Sequence, residues 1–210
     1  PRDGACPITH CKRRNQEGAQ MSYIDEEFNR LRWREKKEHF RTLETGIYIN
    51  DELIEFERID IPELSISVAQ PKTFVRMPPS IAQIKYPAVT RPQIIQTSLD
   101  TTVNFTFSVY QQNIPSDKIR KNIEQMKQML KRVNPANMFF DIEDDKAGEL
   151  TLSWFNYKGF AIDSNIYSIM YLMSLAQDKV LHGTFSCRFK DMNEWHHVAL
   201  QVVRSIALLK

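Results

Sequence analysis

The spacing of apolar residues divides the chain into segments of two kinds. Between Ser116 and Val133, apolar side chains recur at every third or fourth position, which predicts an amphipathic helix capped by Ser116. Its apolar face comprises Ile119, Ile123, Met126, Leu130 and Val133. The same spacing predicts a closing helix from Asp191 to about Ile206. A third helix is predicted near the start of the chain, from Ser22 to Phe40, where charged residues dominate the second half.

Elsewhere the apolar period is two, which predicts strands. The clearest case is the segment 103–109, where valine and phenylalanine alternate with asparagine, threonine and serine as in a half-buried antiparallel strand. Further strands are predicted over 47–61 (a pair or one bent strand), 64–68, 138–143, 149–157, 160–176 and 180–189. Because tight turns join consecutive strands, we expect an α+β fold in which helices pack on an antiparallel β-sheet.

The first twenty residues differ from the rest of the chain. They lack apolar periodicity, and Gln16-Glu17-Gly18 can be encoded by a purine run resembling a bacterial ribosome-binding site upstream of Met21. We interpret residues 1–20 as leader sequence, with a disordered tail or an expression remnant as the alternative. We then expect an N-terminal charged helix within 21–45 and a single α+β domain over 46–210.

Composition narrows the class of protein. The chain is 42% hydrophobic and 26% charged, with a formal net charge of +2, which favours neither nucleic-acid binding nor membrane insertion. Without residues 1–20, Cys187 is the one remaining cysteine. A lone cysteine fits a reducing compartment, so we expect a cytoplasmic protein.

Strand parity suggests a candidate binding surface. The segment 166–176 is apolar on both faces, and Phe155 and Tyr157 lie on the more polar face of the preceding strand. Aromatic residues and methionine are enriched in contact patches, so we expect a protein-binding surface. Its candidate residues are Phe155, Tyr157, Tyr167, Tyr171 and Met173. The alternative is that the N-terminal helix or the segment 71–92 covers this face.

No familiar catalytic motif occurs in the sequence, and we expect no enzyme activity, cofactor or metal. The acidic residues 141–145 are interpreted as a solvated hairpin turn. His196 and His197 are adjacent on the closing helix and point about 100° apart, so they cannot both face one metal ion. Parity places Cys187 on the core face and His182 on the opposite face, which disfavours a Cys-His pair.

Several segments resemble the PsbP-like superfamily, which includes PsbP, the Ran-binding Mog protein and bacterial DcrB-type proteins. They are "IKYP" followed by "RPQIIQT", "TTVNFTFSV", and the closing "LHGTFSCRFKDMNEWHHVALQVVRSI", within residues 81–206. These are packing residues, so the resemblance implies an antiparallel sheet with helices on it more than a function. It also implies a binding role, since some bacterial relatives are cytosolic chaperones or adaptors for secreted toxins.

The sequence therefore favours a non-enzymatic, cytoplasmic binding module that acts as an adaptor or chaperone for a protein partner, such as a secreted effector. One alternative is a small enzyme whose site is assembled from Asp163, His182 and Glu194. Another is a structural subunit that forms a homo-oligomer through the helix from Ser22 to Phe40.

Overall fold

The chain divides into two compact units, Pro1–Arg41 and Thr42–Lys210. A computed structural model describes residues 26–28, 30–32, 35, 37–160, 164–176 and 178–209. In the first unit, the described residues between 26 and 39 are helical. The predicted helix cap Ser22 and the proposed leader, residues 1–20, lie outside the described residues.

Strands dominate the second unit. In chain order the described strands are β1 Arg41–Thr42, β2 Gly46–Ile49, β3 Glu52–Ile54, β4 Phe56–Ile61, β5 Ile66–Pro71, β6 Val75–Arg76, β7 Ile94–Thr97, β8 Asn104–Gln111, β9 Met138–Ala147, β10 Leu150–Phe160, β11 Asn165–Ser174, β12 Lys179–Arg188 and β13 Ala207–Leu208. The described α-helices of this unit are α1 Pro79–Lys85, α2 Ile119–Val133 and α3 Met192–Arg204. Short 3-10 turns occur at Pro62–Leu64, Ser116–Lys118 and Phe189–Asp191.

A seven-stranded antiparallel sheet forms the centre of the fold, in the order β6-β7-β8-β12-β11-β10-β9. Two small sheets accompany it, β1-β2-β3 and β13-β5-β4. The predicted α+β class with an antiparallel sheet and packed helices is therefore confirmed. Strand β9 is the last strand on one side of the large sheet, so its outer edge has no neighbour within that sheet.

Both faces of the large sheet are covered. On the first face, α3 and the two small sheets enclose the main core, whose largest fully buried side chains include Tyr167, Tyr171, Phe105, Phe107 and Phe185. On the second face, α2 buries Ile119 and Ile123 against Phe155 and Leu172. Helix α1 lies toward the other end of this face, where Ala82 packs with Met77 and Ile95.

Strand β8 is buried on both faces, although the alternating pattern predicted a half-exposed strand. Asn104, Thr106 and Ser108 are all buried. Their polar groups are satisfied internally: the Asn104 Oδ1 accepts a hydrogen bond from Thr97 at 2.9 Å, and Thr106 Oγ1 accepts one from the Thr184 amide at 3.0 Å. A polar side chain with such partners can be buried at little cost, and alternation alone does not reveal this.

The acidic segment 141–145 belongs to β9, so its interpretation as a solvated turn is wrong. The chain reverses later, at Gly148, whose φ of +58° suits glycine. Asp144 and Asp145 alternate between the two faces of the sheet. Asp144 accepts a hydrogen bond from Arg120 of α2 at 2.6 Å, and Asp145 accepts one from Arg204 of α3 at 2.6 Å. Tertiary ion pairs of this kind leave no trace in a local pattern.

The predicted caps differ in detail from the structure. Ser116 begins a 3-10 turn, and its hydroxyl makes no capping bond to α2. Asp191 occupies the N-cap position of α3, but its carboxylate accepts a hydrogen bond from Arg188 Nε at 3.1 Å instead of capping the helix. The boundaries of both helices nevertheless lie within a few residues of the predicted ones.

Candidate binding site

The five residues predicted to form one binding surface lie on two different faces of the sheet. Phe155 stands opposite Met170 in β11, and Tyr157 stands opposite Ser168, both on the second face. Tyr167, Tyr171 and Met173 belong to the main core on the first face. The grouping is wrong because parity assigns faces within one strand, whereas the pairing between β10 and β11 decides which faces coincide.

Four of the five side chains are also enclosed. Phe155, Tyr167, Tyr171 and Met173 have no exposed surface. Tyr157 is half-buried and stacks on Phe139, with ring centroids 5.4 Å apart. The second face is covered mainly by α2, and Tyr86, from the proline-rich segment 71–92, reaches Ser186 beside Tyr157. The alternative of a covered face therefore describes these residues better.

An open recess lies elsewhere on the first face, where strands β9, β10 and β11 meet the start of α3. It has a volume of about 310 Å³, at the lower end for ligand pockets and enough for one large side chain. The residues that line it are Phe140, Asn156, Tyr167, Met192, Asn193 and His196. Tyr167 is the only one of the five predicted residues that contributes to this recess.

A chain of hydrogen bonds forms the floor of the recess. The Asn156 amide donates to the Tyr167 hydroxyl oxygen at 2.8 Å, and that hydroxyl lies 2.5 Å from His196 Nδ1. A hydrogen bond therefore joins Tyr167 to His196, and the imidazole tautomer decides which of the two atoms donates. The floor of the recess thus consists of polar groups that are paired with one another.

The electrostatic environment keeps both ring groups neutral near pH 7. Burial raises the pKa of Tyr167 to about 12, against the smaller lowering effect of the bond from Asn156. Burial is also the main cause that lowers the pKa of His196, followed by the electrostatic effects of His197 and Arg204, while Glu143 acts in the opposite direction.

An irregularity in β9 shapes the outer wall of the recess. The pairing shifts between Phe155 and Tyr157, so that Phe140 and Asp141 of β9 together stand opposite Asn156 alone. A bulge of this type re-aims side chains at the edge of a sheet. Phe140 and Met138 remain 45% and 54% exposed on this side, which gives the wall an apolar rim.

Beyond the recess, β10 carries a basic and aromatic group. Lys158 stands opposite Met138 of β9, and its ammonium lies 5.0 Å from the ring centroid of Phe160 and 4.2 Å from that of Phe189. These distances are within the range of cation–π attraction. Phe160 is 45% exposed, and neither it nor Lys158 lines the recess.

The two described groups of the suggested enzyme site, His182 and Glu194, are not brought together. His182 lies on the second face, beside Tyr110, whereas Glu194 belongs to α3 on the first face. Asp163 lies outside the described residues. Cys187 is buried in the main core, and burial raises the pKa of its thiol to about 12, as expected for an unreactive cysteine.

The part of the chain that the structure describes contains no group of three or more histidine, cysteine, aspartate or glutamate side chains placed to hold a metal ion. Within the same residues, no helix is both long and apolar enough to cross a membrane.

Sequence reasoning missed most of the recess because it is assembled from four separate segments. His196 did carry a signal: it follows Met192 by four residues and precedes Ala199 by three, so it lies on a second inward stripe of α3. Asn156 also shares strand parity with the buried Trp154. Neither signal shows that the two side chains meet through Tyr167.

The folded chain is similar to a solved structure, the cyanobacterial PsbP of Synechocystis. The two share 12% sequence identity with a TM-score of 0.51, over 78% of this chain and 98% of that one. The chain has a PsbP-like fold. This confirms the resemblance seen in the sequence, and identity at this level establishes the fold alone.

Two further solved structures show a lower similarity. The Ran-binding protein Mog1p of Saccharomyces cerevisiae is 9% identical with a TM-score of 0.48, over 75% of this chain and 97% of that one. LpqN of Mycobacterium tuberculosis, described as involved in cell envelope biogenesis, is 13% identical with a TM-score of 0.46, over 80% and 98%. No protein-family model and no curated sequence matches the chain.

Proposed function

We propose that the chain is a non-enzymatic, cytoplasmic binding module that holds a protein partner at the recess beside β9. The observation that carries the proposal is an open recess with an apolar wall and a floor of internally paired polar groups. An adaptor or chaperone needs such a surface, whereas catalysis needs reacting groups that converge on a substrate. A secreted effector is the partner class that the family resemblance suggests.

The composition of the rim supports protein binding. Phe140, which lines the recess, and Met138, two residues before it in β9, are both about half exposed. Exposed apolar side chains that cluster beside a concavity are typical of contact sites, and methionine adapts to partners of different shape. The PsbP-like fold is compatible with this role and does not by itself require it.

The test is capture of a partner from the native cells by the full chain and by two variants. Phe140→Asp places a charge on the wall of the recess, and we expect it to reduce recovery of a stoichiometric partner at least about tenfold. Val133→Asp is the matched control, because Val133 is 78% exposed at the end of α2, on the second face. We expect it to retain the partner.

Two results would contradict the proposal. Equal loss of the partner in both variants would place the contact elsewhere or show general damage, which circular dichroism of each variant distinguishes. A full chain that is monomeric and captures no stoichiometric partner would argue against a protein-binding role. Self-association that depends on residues 22–40 would instead favour the structural-subunit hypothesis.

A further inference from the structure

We infer that the partner contributes an extended segment that pairs with the free edge of β9, inserts an apolar side chain into the recess and carries basic residues beside it. This inference rests on the proposed binding function and specifies the chemistry of the partner. It combines three observations: an unpaired strand edge, an adjoining recess and an unbalanced acidic margin.

Among the residues that the structure describes, no strand pairs with the outer edge of β9. Its ten residues pair with β10 alone within the large sheet. At the bulge, the carbonyl oxygen of Phe140 already accepts a hydrogen bond from the Lys127 ammonium. Regular pairing resumes from Ile142 to Ala147. An added strand can therefore form ladder hydrogen bonds along this regular part, a common way for a sheet to bind a peptide.

The recess lies next to the edge strand β9, on the first face of the large sheet. Phe140 belongs both to β9 and to the wall of the recess. Side chains of a strand paired with β9 alternate between the two faces of the sheet, so every second side chain of the added segment projects over the first face. One apolar side chain that extends past Phe140 can occupy the volume between Phe140 and Met192, beside His196.

The charges along β9 decide the kind of partner. Asp144 and Asp145 are neutralised by their 2.6 Å contacts with Arg120 and Arg204. Glu143 stands opposite Trp154 on the first face, where it acts on His196 through space, and Asp141 lies in the bulge. No ion pair joins either carboxylate to an arginine or lysine that the structure describes. Opposite charges across a strand pair are favourable and like charges are not. The edge therefore favours a lysine- or arginine-bearing segment and disfavours a second copy of β9.

The direct test uses short synthetic peptides and the isotopically labelled full chain. The probe is the acetylated, amidated peptide Lys-Thr-Leu-Thr-Lys, which places leucine and both lysines on one face of an extended strand. Its partner probe replaces both lysines with glutamate. We expect the lysine peptide to shift the backbone amide signals of β9 and the side-chain signals of Asn156 and His196. We also expect its Kd to be lower than that of the glutamate peptide by about tenfold, with a smaller difference at high salt.

Two controls test the charge preference and the strand pairing separately. The double variant Asp141→Lys, Glu143→Lys should reverse the charge preference if these two carboxylates set it. An N-methylated leucine in the lysine peptide keeps every side chain but blocks a backbone donor, so it should bind at least about tenfold more weakly if strand pairing occurs.

Several outcomes would overturn the inference. They are equal binding of the two peptides, unchanged binding of the N-methylated peptide, binding by neither peptide, and shifts confined to α2. None of these contradicts the proposed function, because loss of the native partner in Phe140→Asp does not depend on an extended or basic segment. If the partner is lost in that variant and the peptides fail, the recess binds another kind of protein surface.

Discussion

At the scale of single residues, Gly183 in β12 shows how closely the main core is packed. The Tyr171 ring lies across this glycine, and a Cβ atom added there would come within 2.1 Å of the ring and 2.6 Å of the Thr106 carbonyl oxygen. The neighbours are a fully buried tyrosine and backbone, so neither can move cheaply. We expect Gly183→Ala to lower the free energy of unfolding by about 1–3 kcal/mol, measured by denaturant unfolding.

Gly159 in β10 supplies the control for that substitution. An added Cβ there would meet its nearest neighbours at 3.7–3.9 Å, which is ordinary van der Waals contact. We expect Gly159→Ala to change the unfolding free energy by less than about 0.5 kcal/mol. If both substitutions cost the same, a general effect of removing a strand glycine would account for the result, and the Tyr171 contact would not.

A second residue-scale prediction concerns His182. Its Nε2 is buried and has no hydrogen-bond partner among the described residues, and burial lowers its pKa below the usual value. Below about pH 6.5 the unfolded chain binds a proton at His182 more readily than the folded chain does. The contribution of His182 to the free energy of unfolding is therefore fully present above this pH. It is lost as the pH falls below this value, by up to about 1.4 kcal/mol per pH unit for one histidine.

Denaturant unfolding between pH 8 and pH 5 measures this dependence. His182→Phe removes the titrating group, so the loss of stability below pH 6.5 should become shallower. It should not vanish, because burial also lowers the pKa of His196. The exposed His39 supplies His39→Gln as the control variant. A slope that is unchanged in His182→Phe would show that His182 is not responsible for the acid sensitivity.

At the scale of elements, helix α2 shows what an amphipathic pattern determines and what it leaves open. Ile123 and Val133 occupy the same predicted apolar stripe, yet Ile123 is fully buried against the sheet and Val133 is 78% exposed. The stripe predicts the helix and its buried side, but the length of the sheet beneath decides how many of its residues are covered. In the acidic part of β9, too, contacts with other elements decide the outcome. Ion pairs with α2 and α3 stabilise these residues as part of a strand, although the local pattern predicted a turn.

This difference yields an element-scale prediction. Ile123→Ala should lower the unfolding free energy by about 2–5 kcal/mol, because it leaves a cavity between α2 and Phe155. Val133→Ala should change it by less than about 0.5 kcal/mol. The two substitutions remove similar side chains from the same predicted face, so equal costs would mean that the end of α2 is buried in solution.

At the scale of the whole molecule, the sequence predicted the fold better than the site. The strands and helices of residues 46–210 follow local periodicity, and local periodicity is sufficient for an α+β fold class. The recess depends on the pairing of β9, β10 and β11 and on the placement of α3 across them. The bond between Tyr167 and His196 joins residues that are distant in sequence, and only the register that brings them together creates it.

The division of the chain into two units leads to the last prediction. Residues 42–210 form a compact unit that contains the large sheet, the three core clusters beside it and the whole recess. A fragment limited to these residues should fold alone, because the buried residues of all three clusters belong to that unit. We expect its unfolding free energy to match that of the full chain within about 1 kcal/mol. We also expect Ile123→Ala and Val133→Ala to change the unfolding free energy of the fragment by the same amounts as in the full chain.

Capture of the partner by the fragment then shows which part of the chain binds it. If the fragment retains the partner, binding lies within residues 42–210, as the recess requires. A stable fragment that has lost the partner would instead assign the contact to residues 1–41 and contradict a site at β9.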